Sequence, residues 1–85
     1  MAISVAIVED NPEVRRNLSR YIGGAPGFRC ACACASAEEA LRVIPQSPPD
    51  VVLMDIQQPR MSGTTCTASL KKTLPSVPVM MLTVY

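Results

Sequence analysis

Histidine and tryptophan are both absent from this 85-residue chain, and aromatic residues make up only 4% of it. Losing histidine removes the commonest general base and the commonest metal ligand. Serine–histidine and cysteine–histidine nucleophiles are excluded with it. An excess of one charge is missing too: the net charge is +1. That balance offers no basic field to a nucleic acid, and no direct nucleic-acid binding is expected. The arginines and lysines are scattered and read mostly as solvated helix faces. No apolar run approaches the roughly 20 residues of a membrane span. The opening MAISVAIVED has neither a basic segment nor a small-residue cleavage site. It does not read as a secretory signal, so a cytoplasmic location is the expectation.

Cysteine is present but oddly placed. Cys30, Cys32 and Cys34 alternate with alanines, and Cys66 stands apart. In a strand, residues two apart lie about 6.6 Å from one another and share a face. Sulfurs on a common zinc must come closer than that. The three cysteines therefore read as small apolar side chains on one strand face. A disulfide framework is not expected without a secretory signal.

What the chain does have is a globular balance, 48% hydrophobic and 18% charged. Its length gives one domain, residues 1–85, with a modest core. Ile3 to Val8 is a short buried strand. Asn11-Pro12 opens a helix, with Asn11 as N-cap and Pro12 at the first helical position. Val14, Leu18, Tyr21 and Ile22 form its apolar stripe. Gly23-Gly24 ends that helix and Pro26-Gly27 turns the chain. Phe28 to Ala35 is a second strand. Ser36 and Glu39 form a capping box, each side chain serving the other's backbone N–H. The second helix buries Ala40, Leu41 and Ile44 and stops at Pro45. Val51 to Met54 is a third strand, followed by a turn over Pro59 to Gly63. A threonine-rich helix runs from about Thr64 to Thr73, and Val77 to Leu82 is a fourth strand. The order β-α-β-α-β-α-β predicts an α/β fold, a doubly wound parallel sheet of flavodoxin-like type.

The chemistry sits at the strand ends. The first strand runs into Glu9-Asp10 and the third into Asp55. Open α/β sheets place their sites beyond the carboxyl ends of their strands. Three carboxylates crowded there raise one another's pKa unless a cation neutralises them. Mg²⁺ suits such a cluster, being a hard ion that takes few carboxylates and completes its shell with phosphate oxygen. Asp55 is then an ionised nucleophile toward phosphorus. Thr83, ending the fourth strand, is placed to donate its hydroxyl to a phosphoryl oxygen. The first strand–helix turn, Glu9 to Pro12, has no glycine phosphate cradle, so neither a dinucleotide nor a P-loop site fits.

Four segments carry a resemblance: Ile7 to Asn11, Val52 to Ile56, Pro59 to Gly63, and Val79 to Thr83. Together they resemble the receiver domain of bacterial two-component response regulators, in the branch with helix-turn-helix output domains. The resemblance covers essentially the whole chain. It implies Asp55 as phosphoacceptor and metal ligand, Asp10 as direct metal ligand, and Glu9 as ligand through water. The backbone carbonyl of Gln57 is a further implied ligand and Thr83 the switch hydroxyl. It implies a histidine kinase as phosphodonor and transcriptional control through an output domain not present in these residues.

The chain also departs from that pattern. A complete receiver resembles a five-stranded sheet in the order 2-1-3-4-5, and this sequence reads as a partial one that stops after the fourth strand. The phosphoryl-binding lysine of the fifth strand has no counterpart, and Lys71 and Lys72 fall in the wrong helix. Gln58 stands where an apolar residue is usual, and Thr64 and Thr67 where larger apolar side chains are. Strand four is then expected to be an exposed apolar edge through which the chain self-associates. Two readings follow: a phosphoaccepting signalling module, or a truncated, non-switching receiver that acts as a binding or dimerisation module.

Overall fold

The structure is a computed structural model and describes residues 2–58 and 60–82. The strands are β1 (Ile3–Val8), β2 (Phe28–Cys34), β3 (Val51–Asp55) and β4 (Val79–Leu82). The helices are α1 (Pro12–Gly24), α2 (Ala37–Val43) and α3 (Gly63–Thr73), with a 3₁₀ turn at Ile44–Gln46. All strand pairs are parallel, in the order β2-β1-β3-β4. This is the flavodoxin-like, doubly wound arrangement that the alternating pattern predicts. β1 and β3 are the inner strands, and their continuous apolar runs reflect cover on both faces.

Side chains alternate across the sheet and divide the core in two. Ala6, Val8, Val52 and Met54 face Ala37, Ala40 and Ile44 on one side, joined by Cys66 and Leu70 of α3. Ile7, fully buried, alternates to the opposite face. That face is covered by α1, which packs on β1 and β2. Val51 and Leu53 are only half-buried there.

The helices begin where short polar side chains satisfy free backbone N–H groups. Asn11 Oδ1 accepts from the N–H of Glu13 at 2.9 Å and of Val14 at 3.2 Å. Pro12 follows at the first helical position, as expected. Ser36 Oγ accepts from the Glu39 N–H at 3.1 Å. The other half of the expected box differs: Glu39 Oε1 accepts from the Ala35 N–H at 2.8 Å. The glutamate reaches one residue past the cap and secures the end of β2. Ser62 caps α3 by accepting from Thr65 N–H at 3.1 Å. That cap offsets the weak helix propensity of the threonines.

Three further expectations change. Tyr21 is 79% exposed and not part of the core. It lies at the margin of the α1 stripe, where its phenol meets water. The fourth strand begins at Val79, because Pro78 has no N–H to give a ladder. β2 is not regular: its register against β1 shifts so that Val5 pairs with Cys30 and Ala6 with Cys32. Ala31 is the extra residue of a bulge. The cysteines therefore do not share one face. Cys32 and Cys34 follow Ala6 and Val8 toward α2 and α3, while Cys30 turns to α1, where Ser19 Oγ meets its sulfur at 3.5 Å.

At the other end of the sheet a reciprocal clasp sets β3 beside β1. The Ser4 N–H and hydroxyl both donate to Asp50 Oδ2, at 2.8 and 3.1 Å. The Asp50 N–H donates back to the Ser4 carbonyl at 2.9 Å. The Ser4 N–H first, and then its hydroxyl, hold the Asp50 carboxyl below its usual range.

Candidate functional site

The pairing of Val8 with Met54 brings the next residues, Glu9 and Asp55, side by side at the carboxyl ends of β1 and β3. Asp10 joins them as the chain turns into α1. One oxygen from each of the three carboxylates lies within 4.8 Å of the others. Glu9 and Asp55 are buried, at 3% and 7% exposure, while Asp10 faces solvent. The three line a cleft of about 280 Å³ with Asn11, Val14 and Gln57. The sequence-predicted cluster of Glu9, Asp10 and Asp55 is thus assembled, with Gln57 at its rim. Thr83 lies outside the described residues.

Local bonds fix each acid. The Asn11 N–H donates to Glu9 Oε2 at 3.0 Å, and the Glu9 N–H donates to the Cys34 carbonyl at 3.0 Å. The Gln57 N–H donates to Asp55 Oδ1 at 3.1 Å. Burial pushes the Glu9 carboxyl above its usual range. The Asn11 N–H opposes that shift, and the neighbouring charge of Asp55 adds to it. Such a trio of hard oxygen donors fits a hard divalent cation.

The cations nearby do not neutralise it. Arg15 Nη1 donates to the main-chain carbonyl of Glu9 at 2.9 Å and to that of Asp10 at 3.4 Å. It braces the loop. Lys71 Nζ donates to the carbonyls of Val77 at 2.7 Å and Pro75 at 3.3 Å. These carbonyls precede β4, whereas Asp55 pairs with Leu82 at its far end. Lys71 is therefore committed to the end of the sheet away from the acids, in line with the sequence expectation.

Three features of the loop after Asp55 were only partly visible in sequence. Gln58 Nε2 donates to the Asp55 carbonyl at 2.8 Å, while its Oε1 is buried without a partner. The amide tethers the loop where an apolar side chain would only pack. Gly63 opens α3 directly against this loop, and its N–H donates to the Ile56 carbonyl at 2.9 Å. A Cβ there would collide with the Asp55 carbonyl oxygen and come within 2.8 Å of the Ile56 Cα. Arg60 adopts a left-handed φ of 70°, the uncommon conformation for a non-glycine residue in this turn.

A doubly wound sheet with its acids clustered past the first and third strands has the architecture of a signalling receiver. Residues 5–85 match the response regulator receiver domain family, and the chain belongs to it. It is 39% identical over 80 residues to protein-glutamate methylesterase/protein-glutamine glutaminase 2 of Nitratidesulfovibrio vulgaris, covering 94% of this chain and 22% of that protein. It is 34% identical over 85 residues to the response regulator protein VraR of Staphylococcus aureus, covering 100% of this chain and 41% of that protein. Among solved structures, a LuxR-family two-component response regulator from Aurantimonas sp. SI85-9A1 superposes with a TM-score of 0.92 at 27% identity. That match covers 100% of this chain and 61% of the solved one. The chain thus spans less than half the length of these two curated relatives. It corresponds to a receiver region, whether the relative is an enzyme or a regulator. No helix among the described residues is long and apolar enough to cross a membrane.

The tight approach of Gly63 yields a direct test. Gly63→Ala must displace the Asp55–Ile56 backbone, at a cost of about 1–3 kcal/mol. Urea denaturation should show a lower midpoint; an unchanged midpoint would mean the loop yields freely.

Proposed function

We propose that this chain is the phosphoaccepting part of a two-component system, receiving a phosphoryl group on Asp55 from a histidine kinase. The convergence of Glu9, Asp10 and Asp55 at the strand ends carries this reading. Asp10 and Asp55 would hold Mg²⁺ directly, Glu9 through water, and the Gln57 backbone carbonyl would be a further ligand. When bound, the ion supplies charge neutralisation to the acids and to the phosphoryl oxygens.

The chain's own residues position the reaction. The Gln57 N–H holds one Asp55 oxygen and orients the carboxylate. The other oxygen attacks phosphorus, the P–N bond of the donor phosphohistidine breaks, and the imidazole leaves. Gln58 and Gly63 fix the main chain beneath the nucleophile. Thr83 serves as the hydroxyl donor to the transferred group. Residues 1–85 act as a partial receiver domain within a cytoplasmic regulator of transcription. The output domain lies outside these residues and makes the DNA contacts.

Intact mass after incubation with Mg²⁺ and a small acyl phosphate, beside Asp55→Asn, tests this. A gain of one phosphoryl group, lost in Asp55→Asn, is expected. No gain while Mg²⁺ still binds would leave the chain a binding module only.

A second reading has its own support. Met80 and Met81 on β4 are 57% and 39% exposed, and β4 pairs only with β3 among the described residues. Such an apolar edge favours pairing with a second copy. Sedimentation velocity should show a dimer that Met80→Glu weakens; a monomer at every concentration would refute it.

A further inference from the structure

Pro12, Arg15, Arg16, Ser19 and Arg20 recur along α1 at spacings of three and four, which puts them on one flank of the helix. That flank overhangs β2, while Val14, on the other flank, lines the acid cleft. The floor beneath the overhang is low because β2 is built of small residues. Ala33 pairs with Ile7 and so faces α1, yet it is exposed. Ser19 adds little bulk, with its hydroxyl turned down onto the Cys30 sulfur at 3.5 Å. Helix and strand thus leave a groove of about 420 Å³, lined by these five residues and Ala33.

The charge in the groove is unbalanced. Arg15, Arg16 and Arg20 line it and no carboxylate does. Glu13 is the single acid within α1 and β2, and it stands outside the lining. Arg16 and Arg20 are exposed and four residues apart, a like-charge pair that weakens a helix. α1 also carries arginines near its positive N-terminal end and has no basic residue in its last turn. The helix dipole favours the reverse. Helix stability does not account for this arrangement, whereas an anion held between the guanidinium groups does. Arg15 is already positioned for one: Nη1 is fixed on the Glu9 and Asp10 carbonyls, which leaves the rest of its donor fork for a ligand.

We propose that the α1–β2 groove is a binding site for a small polyanion carrying two linked phosphates, a pyrophosphate group. Guanidinium forks match phosphate oxygens with paired N–H donors. From Arg15 to Arg20 the helix rises about 7.5 Å, at roughly 1.5 Å per residue. One phosphate serves one end of that row, and two in series span it with a comparable charge. The net charge of +1 adds no wider field, so the ligand is a compact anion and not a nucleic acid. The groove is separate from the acid cleft, and its ligand does not depend on phosphoryl transfer to Asp55.

The test is a titration of the full chain with inorganic pyrophosphate at constant ionic strength, in buffer freed of divalent metal, followed by amide chemical shifts. Saturable shifts are expected at Arg15, Arg16, Ser19, Arg20 and Ala33. Inorganic phosphate, and citrate as a carboxylate of similar charge, should each bind roughly tenfold more weakly. The double variant Arg16→Gln/Arg20→Gln should lose about tenfold in affinity for pyrophosphate. Both side chains are exposed, and the same spectra verify its fold. Arg29→Gln removes an arginine of β2 outside the groove and should leave the affinity unchanged. ADP beside pyrophosphate separates the two sources of the group: tighter binding of ADP supports a nucleoside diphosphate, and equal or weaker binding supports the free anion. Shifts that never saturate or that centre elsewhere would overturn the proposal. So would full affinity in the double variant, an equal loss in Arg29→Gln, or phosphate or citrate binding as tightly as pyrophosphate.

Discussion

Mutual repulsion among three carboxylates is the constraint around which this molecule is arranged. Val8 pairs with Met54, and one residue further on Glu9 and Asp55 meet with no freedom to separate. The register is pinned at the opposite end by the Ser4–Asp50 clasp and along the strands by the interlocked core. A slip of one residue would turn every side chain of a strand to the wrong face. The core therefore enforces a contact that the acids themselves resist. The raised Glu9 carboxyl is the electrostatic trace of that burial and crowding. Folded proteins tolerate such unfavourable groupings where a ligand relieves them.

The support under the site is uneven. α2 and α3 seal one face of the sheet over Ala6, Val8, Val52 and Met54. The other face has α1 alone among the described residues, and α1 contains no fully buried residue. Val51 and Leu53 are half-buried on it, and Met80 is largely exposed. The loop carrying Asp55 is anchored on the well-packed side, through Gly63 and the start of α3. The site thus rests on the stronger half of the molecule, where the packed core holds its carboxylates in place.

Much of this was legible from residue order. Apolar runs ending in acids gave the strands and the site, because inner parallel strands show no alternation and the acids mark where burial stops. Asn11-Pro12 and Ser36 marked helix starts through local chemistry alone. Several of the misses share a cause, namely contacts between segments that no single segment encodes. The bulge at Ala31 exists only in the register of β2 against β1, so strict alternation put Cys30 on the wrong face. Glu39 found Ala35 and not Ser36 because the end of β2 lay within its reach. Gln58 stood out in sequence as a polar intruder, but its tether to the Asp55 carbonyl needed the folded loop to be seen.

The central claim is that the acids repel one another until a divalent cation joins them. Thermal denaturation with and without Mg²⁺, for the wild-type chain and Asp10→Asn, tests it most directly. Mg²⁺ is expected to raise the wild-type midpoint. Asp10→Asn is expected to melt higher than wild type without metal and to gain little from its addition. An Asp10→Asn chain that melts lower than wild type without metal, and responds to Mg²⁺ equally, would contradict it.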